Sequence, residues 1–304
     1  MDNLAPIAIF CYNRPDYLKK LLEMLEMNRL ANKSDVYFFV DYPKRDSDKL
    51  AHKNIVSLIE ENWQFKSKNI IVRSYNYGVK KNIMDGITQV INDRKKLIIL
   101  EDDLEINTYF LDYMNKALNL YENNKKVWHI GGYNYPTLRL SSNKAYFTHH
   151  MNCWGWATWE DRWNNIFDNL NNKIVEEQIK DFNFKNLLTT NYNQLTANEN
   201  KKISTWAIFW YQTIFLNNGY CLMPSKSVVL NKGFETGEHG TGNQNAIKKL
   251  SNNKISNFPK KIIISKLFDR ILSLYFLKNI IINYVFYHIK KRSPFFLSKK
   301  RNVI

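Results

Sequence analysis

The stretch LIILEDDLEINTYF, residues 97–110, runs four apolar residues straight into Glu101, Asp102 and Asp103, with Glu105 two positions on. An unbroken apolar run of strand length reads as a strand buried on both faces. Carboxylates crowded at its end raise one another's pKa unless a cation or a set of donors keeps them ionised. The segment thus marks both a central strand and a place where charge has to be balanced.

Similar runs recur on its N-terminal side. PIAIFCY (6–12), DVYFFVD (35–41) and NIIVRSY (69–75) are strands by the same criterion, and KLIIL (96–100) is the fourth. Between them lie helical spacings: Leu18, Leu21, Leu22 and Leu25 behind Pro15, then Val56, Leu58 and Ile59, then Ile83, Ile87 and Val90 after the NYG turn at 76–78. A helix holding Phe110, Tyr113 and Leu118 leads to a fifth strand, KVWHI (126–130). Apolar strands alternating with helices predict an α/β fold whose mostly parallel sheet is covered by helices. Residues 131–247 are irregular and Trp-rich, with a further strand expected within GYCLMPSKSVV (219–229). The expected division is one domain over 1–247, its first half 1–130 and its second 131–247, followed by an extension over 248–304.

Charge supports that division. The 304 residues carry 44 Lys and Arg against 28 Asp and Glu, a net +16. Residues 248–304 hold 14 of the basic residues and one acid, Asp269, so the body is nearly neutral and the tail strongly basic. The tail includes ILSLYFLKNIIINYVFYHI (271–289), which is as long as a short membrane span, but Lys278 sits near its centre. Basic clusters flank it, which favours attachment to an anionic membrane surface over a helix that simply packs on the body. Cys11, Cys153 and Cys221 lie far apart, which fits a reducing compartment and argues against a disulfide framework. The N-terminus has no basic region ahead of its apolar run and is expected to be the first strand, not a signal peptide. The protein is accordingly expected in the cytoplasm, at the inner face of the membrane.

In an open parallel sheet, ligands bind at the carboxyl ends of the strands. Asn13 and Arg14 follow the first strand, Asp41 ends the second, and Glu101, Asp102 and Asp103 end the fourth. Each has a simpler explanation: a surface ion pair for Arg14, a helix-start aspartate for Asp41, an acid-rich first helical turn for the cluster. Their convergence on successive strand ends favours a site. Mg²⁺ or Mn²⁺ takes one or two carboxylates and completes its shell with phosphate oxygens and water, so the ligand implied is a diphosphate.

PIAIFCYNRPDYLKKLLEML, YNYGVKKNI and above all IILEDDLEINTYFLDYM resemble the GT-A (Rossmann-like) glycosyltransferases, N-acetylglucosaminyltransferase I and its bacterial relatives in particular. CWGWATW (153–159) is similar to that family's acceptor-side loop. PSKSVVLNKGFETGEHG (224–240) is similar to the segment that closes over the diphosphate. The resemblance spans about residues 5–245 in order. It implies a metal carboxylate at Asp103, donor contacts from Asp102 and Glu101 to ribose and sugar, nucleotide contacts from Asn13, Arg14 and Asp41, and a diphosphate contact from His239. It also implies an inverting mechanism, a nucleotide-sugar donor such as a UDP-sugar, and a glycan or glycolipid acceptor.

One departure concerns the catalytic base. The family places an aspartate after a Trp where this chain has Trp206 followed by Ala207. Glu160, Asp161, Glu235 and Glu238 are the acids in acceptor-side segments. Glu235 and Glu238 are preferred because the Gly-rich 231–243 loop can close as a lid. Among Trp154, Trp156, Trp159 and Trp163, Trp156 is assigned to the acceptor site and the others to the core. His149 and His150 have no third ligand nearby in sequence and are not taken as a metal site.

Two other functions fit parts of the pattern. A nucleotidyltransferase making the activated sugar would carry a Gly-rich phosphate loop after the first strand, and CYNRPDYLKK contains no glycine. A non-catalytic basic module binding membrane or nucleic acid would leave the strand-end acids of a neutral body unexplained. No nucleic-acid partner is expected.

Overall fold

The computed structural model describes residues 4–135, 143–171, 197–198, 200, 202, 204–233, 250–264, 266, 269–272 and 274–275. The apolar runs form β1 (Ile7–Cys11), β2 (Asp35–Val40), β3 (Ser67–Val72) and β4 (Lys96–Glu101). They lie in the order β3-β2-β1-β4, and every pairing among them is parallel. Parallel neighbours need long crossovers, which α1 (Pro15–Glu26), α2 (Lys49–Glu60) and α3 (Gly78–Arg94) supply. Pro15 opens α1, where its fixed φ suits a first turn and its missing N–H costs nothing.

The two-residue period of the strands sorts their side chains into two cores. Ile7, Ile9, Val36, Phe38, Val40, Ile98 and Leu100 face one side, with the leucines of α1, Ile55 and Ile59 of α2, and α4 (Phe110–Tyr121). Ala8, Phe10, Phe39, Leu97 and Ile99 face the other, against Ile83, Ile87 and Ile91 of α3. Gly86 lets α3 lie close on β1, since a Cβ there would stand 2.6 Å from the Phe10 ring.

Beyond β4 the sheet becomes mixed. β8 (Trp156–Trp159) pairs antiparallel with β4 and with β6 (Val127–Gly131). β9 (Tyr220–Pro224) runs parallel to β6, and β7 (Ala145–Thr148) closes the edge antiparallel to β9, giving eight strands. A separate ribbon pairs β5 (Leu104–Ile106) with β10 (Val229–Asn231). The strand expected within 219–229 thus becomes β9 together with the start of β10. β5, β7 and β8 are additions to the expected set. Among the described residues this half also holds three short helices: α5 (Glu160–Trp163), α6 (Asn165–Asn171) and α7 (Ala207–Leu216).

Residues 250–264 pack on the body. The Asn107 amide donates to Ser251 O at 2.7 Å, Phe258 stacks on Tyr113, and Ile264 forms a bridge with Phe147 of β7. Further on, Asp269 accepts from Thr148 Oγ1 at 2.6 Å and contacts His149 Nδ1 at 2.5 Å. Among the described residues no helix is long and apolar enough to cross a membrane. Most of the 271–289 stretch lies outside them.

Candidate active site

β1 has β2 on one side and β4 on the other, so the chain order reverses between β1 and β4. A crevice at the carboxyl end of such a pair is where open α/β sheets bind ligands. Residues 12–14 leave β1 there and residues 101–103 leave β4. Backbone and side chain tie the two exits together. Asp102 N–H donates to Phe10 O at 3.0 Å, and Tyr12 N–H donates to Asp102 Oδ2 at 3.0 Å. Arg14 places Nη1 in contact with Asp103 Oδ2 and 4.0 Å from Asp102 Oδ1. Asp103 is 8% exposed, and its Oδ1 has no hydrogen-bond partner among the described residues.

The Asp103 carboxylate is enclosed on another side by main chain. Lys232 N–H donates to Asp103 O at 2.9 Å, bringing the residues after β10 across the β4 exit. A Cβ at Gly233 would collide with Asp103 Oδ2 and stand 2.8 Å from Arg14 Nη1. Burial acts on all three acids, and repulsion from neighbouring carboxylates on Glu101 and Asp102. Burial, then Asp103 and Asp102, push Glu101 up to about 8. Burial and Asp103 push Asp102 to about 7, against the pull of Arg14 and the Tyr12 N–H. Burial also raises Asp103, with Arg14 opposing. One guanidinium does not balance three carboxyls, and a second cation would.

The donor set fits a hard divalent ion of a particular kind. Among the described residues no trio of His, Cys, Asp or Glu is arranged to cage a metal without help. A buried carboxylate with a free oxygen suits an ion that takes one protein ligand and fills its shell with phosphate oxygens and water.

Asp41 is 5% exposed and stands at the end of β2. Its Oδ1 accepts from Tyr42 N–H at 2.9 Å and Tyr77 N–H at 2.7 Å, while Oδ2 accepts from Gly78 N–H at 2.9 Å and from the Asn76 amide at 3.3 Å. It therefore ties down the start of α3, the simpler of its two sequence readings. The Asn13 amide donates to Asp48 Oδ1 at 3.0 Å and Tyr12 Oη to Asp48 Oδ2 at 2.8 Å, so Asp48 orders the loop beside the β1 exit. No strand pattern marks Asp48, and the sequence reading missed it.

Three expectations need correction. Trp156 is 0% exposed and cannot meet an acceptor. It opens β8 with its side chain on the α3 face, stacked between His129 at 5.1 Å and Trp206 at 5.3 Å. Trp154, assigned to the core, is only partly buried and sits edge-on to Tyr133 at 4.5 Å. Glu160 and Asp161 are excluded as bases, because antiparallel β8 delivers them to the opposite end of the sheet, where Trp159 pairs with Lys96. Glu160 binds Lys95 there at 2.8 Å, and Asp161 pairs with Lys125 and Arg162. Glu235, Glu238 and His239 lie outside the described residues. Ala207 begins α7 near the acid-bearing end of the sheet, where Lys80 of α3 lies 4.0 Å above the Phe209 ring, and brings no carboxylate.

No family model matches the chain, and no curated protein matches it in sequence. Solved structures similar to it include S. aureus TarS, at a TM-score of 0.43 and 11% identity over 74% of this chain and 36% of that one. TarS 1-349 in complex with UDP is similar at 0.41 and 13% identity over 74% and 59%. The mannosyltransferase PcManGT from Pyrobaculum calidifontis, in complex with GDP-Man and Mn2+, is similar at 0.37 and 11% identity over 57% and 48%. The chain thus spans between about a third and three fifths of the length of these proteins. Likenesses of this degree carry no functional argument.

Proposed function

We propose that the chain is a metal-dependent glycosyltransferase of the GT-A kind, moving a sugar from a nucleotide-sugar, such as a UDP-sugar, to a glycan or glycolipid with inversion. The observation that supports this best is the meeting of Arg14, Asp102 and Asp103 between β1 and β4, with Asp103 Oδ1 buried and without a hydrogen-bond partner among the described residues. Asp103 would hold Mn²⁺ or Mg²⁺, which when bound offsets charge on a departing nucleoside diphosphate. Arg14 is placed to fork onto phosphate oxygens. Asp102 receives the Tyr12 N–H and so holds the β1 and β4 exits in register while facing the donor side. Glu101 completes the donor-facing acids. Glu235 or Glu238 would take the proton from the acceptor hydroxyl, and His239 would close on the diphosphate.

Release of nucleoside diphosphate from a panel of nucleotide-sugars, with Mn²⁺ and then with a chelator, tests the proposal. Expected is turnover on at least one donor, lost with chelator and with Asp103→Ala. Turnover on none, or turnover indifferent to both, removes it. A nucleotidyltransferase would instead need a Gly-rich phosphate loop, and residues 11–20 contain no glycine.

Attachment to the inner face of the membrane is the second part of the proposal. Ile263 and Leu274 are 65% and 62% exposed, beside Lys260, Lys261 and Arg270. Removal of residues 276–304 leaves intact the contacts that 250–275 make with the body. It should weaken sedimentation with anionic vesicles, residues 260–275 retaining the remainder, while donor hydrolysis persists. Unchanged sedimentation would refute attachment through the tail.

A further inference from the structure

Arg14 and a divalent cation need the same oxygens. The guanidinium contacts Asp103 Oδ2 and lies 4.0 Å from Asp102 Oδ1, while Gly233 shuts the remaining approach to Oδ2. A cation taking Asp103 through both oxygens, or through Oδ2, must displace Arg14. One taking Oδ1 alone would sit within a few ångströms of the guanidinium while it holds Oδ2, where repulsion is large at the effective dielectric of a half-buried site. Arg14 is itself free to leave. It stands at the start of α1, in the loop after β1, with its side chain 30% exposed, and among the described residues its guanidinium donates to Asp103 alone.

Resting on the glycosyltransferase reading above, we propose that Arg14 is a built-in competitor for Asp103, so that metal capture depends on the nucleoside diphosphate. A diphosphate offers Arg14 a bidentate anionic partner. Once the guanidinium turns to it, Asp103 is released as a ligand. The consequence is a thermodynamic coupling that must be reciprocal: diphosphate tightens metal binding by the factor with which metal tightens diphosphate binding. Arg14 acts here as a positioning residue and not as a participant in bond breaking.

The test is binding, measured separately for Mn²⁺ alone, UDP alone and the two together, by calorimetry and by electron paramagnetic resonance of free Mn²⁺. Arg14→Gln should bind Mn²⁺ alone about tenfold or more tightly than the parent, because a contacting unit charge is gone. The same variant should bind UDP alone about tenfold more weakly. A residue with a merely structural role would weaken both, so the opposite signs are diagnostic. Arg14→Lys keeps the charge without the fork, and serves if the glutamine variant does not fold: a Mn²⁺ affinity a few-fold above the parent is expected. Equal or weaker Mn²⁺ binding by the variants, with the parent still binding Mn²⁺ and UDP together, overturns the role of Arg14 and leaves the enzyme assignment standing. A parent that binds neither Mn²⁺ nor UDP overturns both.

Discussion

Gly233→Ala probes how tightly the Asp103 carboxylate is positioned. The backbone at Gly233 lies outside the left-handed region, so alanine suffers no conformational penalty and the effect is one of contact alone. The added methyl would collide with Asp103 Oδ2 and stand 2.8 Å from Asp103 Cγ, whereas ordinary contact begins at 3.4 Å, so the oxygen must swing away by about 1 Å or more and the carbon by 0.6 Å at least. Arg14 Nη1, also at 2.8 Å, must give way by the same amount. A misplacement of about 1 Å at a reacting centre costs roughly 100-fold, and the oxygen's shift is of that size, so the expected loss in kcat is about a hundredfold. Overpacking should lower stability by about 1–3 kcal/mol, leaving a folded protein. Steady-state release of nucleoside diphosphate gives the first quantity and thermal melting the second. Turnover within twofold of the parent, in a protein whose Mn²⁺ affinity is also unchanged, would refute the placement of Asp103 against the 232–233 backbone.

His129 is fully buried, accepting from Trp210 Nε1 at 3.3 Å and meeting Asn152 O at 3.0 Å through Nε2, and burial pulls its pKa down to about 3. A base held neutral in the fold but charged when unfolded makes stability fall as pH drops from about 6.5 toward 3, by about 2 kcal/mol already at pH 5. Acid denaturation followed by fluorescence should show that slope between pH 6.5 and 5, and His129→Gln should flatten it. Trp156→Ala should cost about 3–5 kcal/mol in chemical denaturation by opening a cavity among Trp163, Trp206 and Trp210. An acceptor KM that changes while stability does not would restore Trp156 to the site. Asp41→Ala should destabilise by about 0.5–2 kcal/mol through loss of its bonds to the start of α3, measured by thermal melting.

The parallel half was legible because β1, β2 and β4 are largely apolar and each helix shows its own spacing, while the edge strand β3, SKNIIV, is apolar only in its second half. The second half was not. β8 reads WATW, four residues inside a Trp-rich segment, and neither its direction nor its partners can be inferred from so short a run. Its antiparallel course carries Glu160 away from the crevice and turns Trp156 into the core, two outcomes invisible along the chain. Asp41 shows the same limit: an aspartate at a strand end suits a ligand or a helix start equally, and only the positions of the Tyr77 and Gly78 N–H groups decide.

The sequence by itself determined the alternation of strands and helices, the acids at the end of β4 and the basic extension, because periodicity and charge are local properties of a chain. Tertiary structure alone decided which charges meet. Arg14 and Asp103 are 89 positions apart, and Gly233 comes 130 residues later still. Their contact follows from parallel pairing of β1 with β4 and from the antiparallel β5–β10 ribbon that brings the chain back, long-range pairings whose register no local pattern encodes.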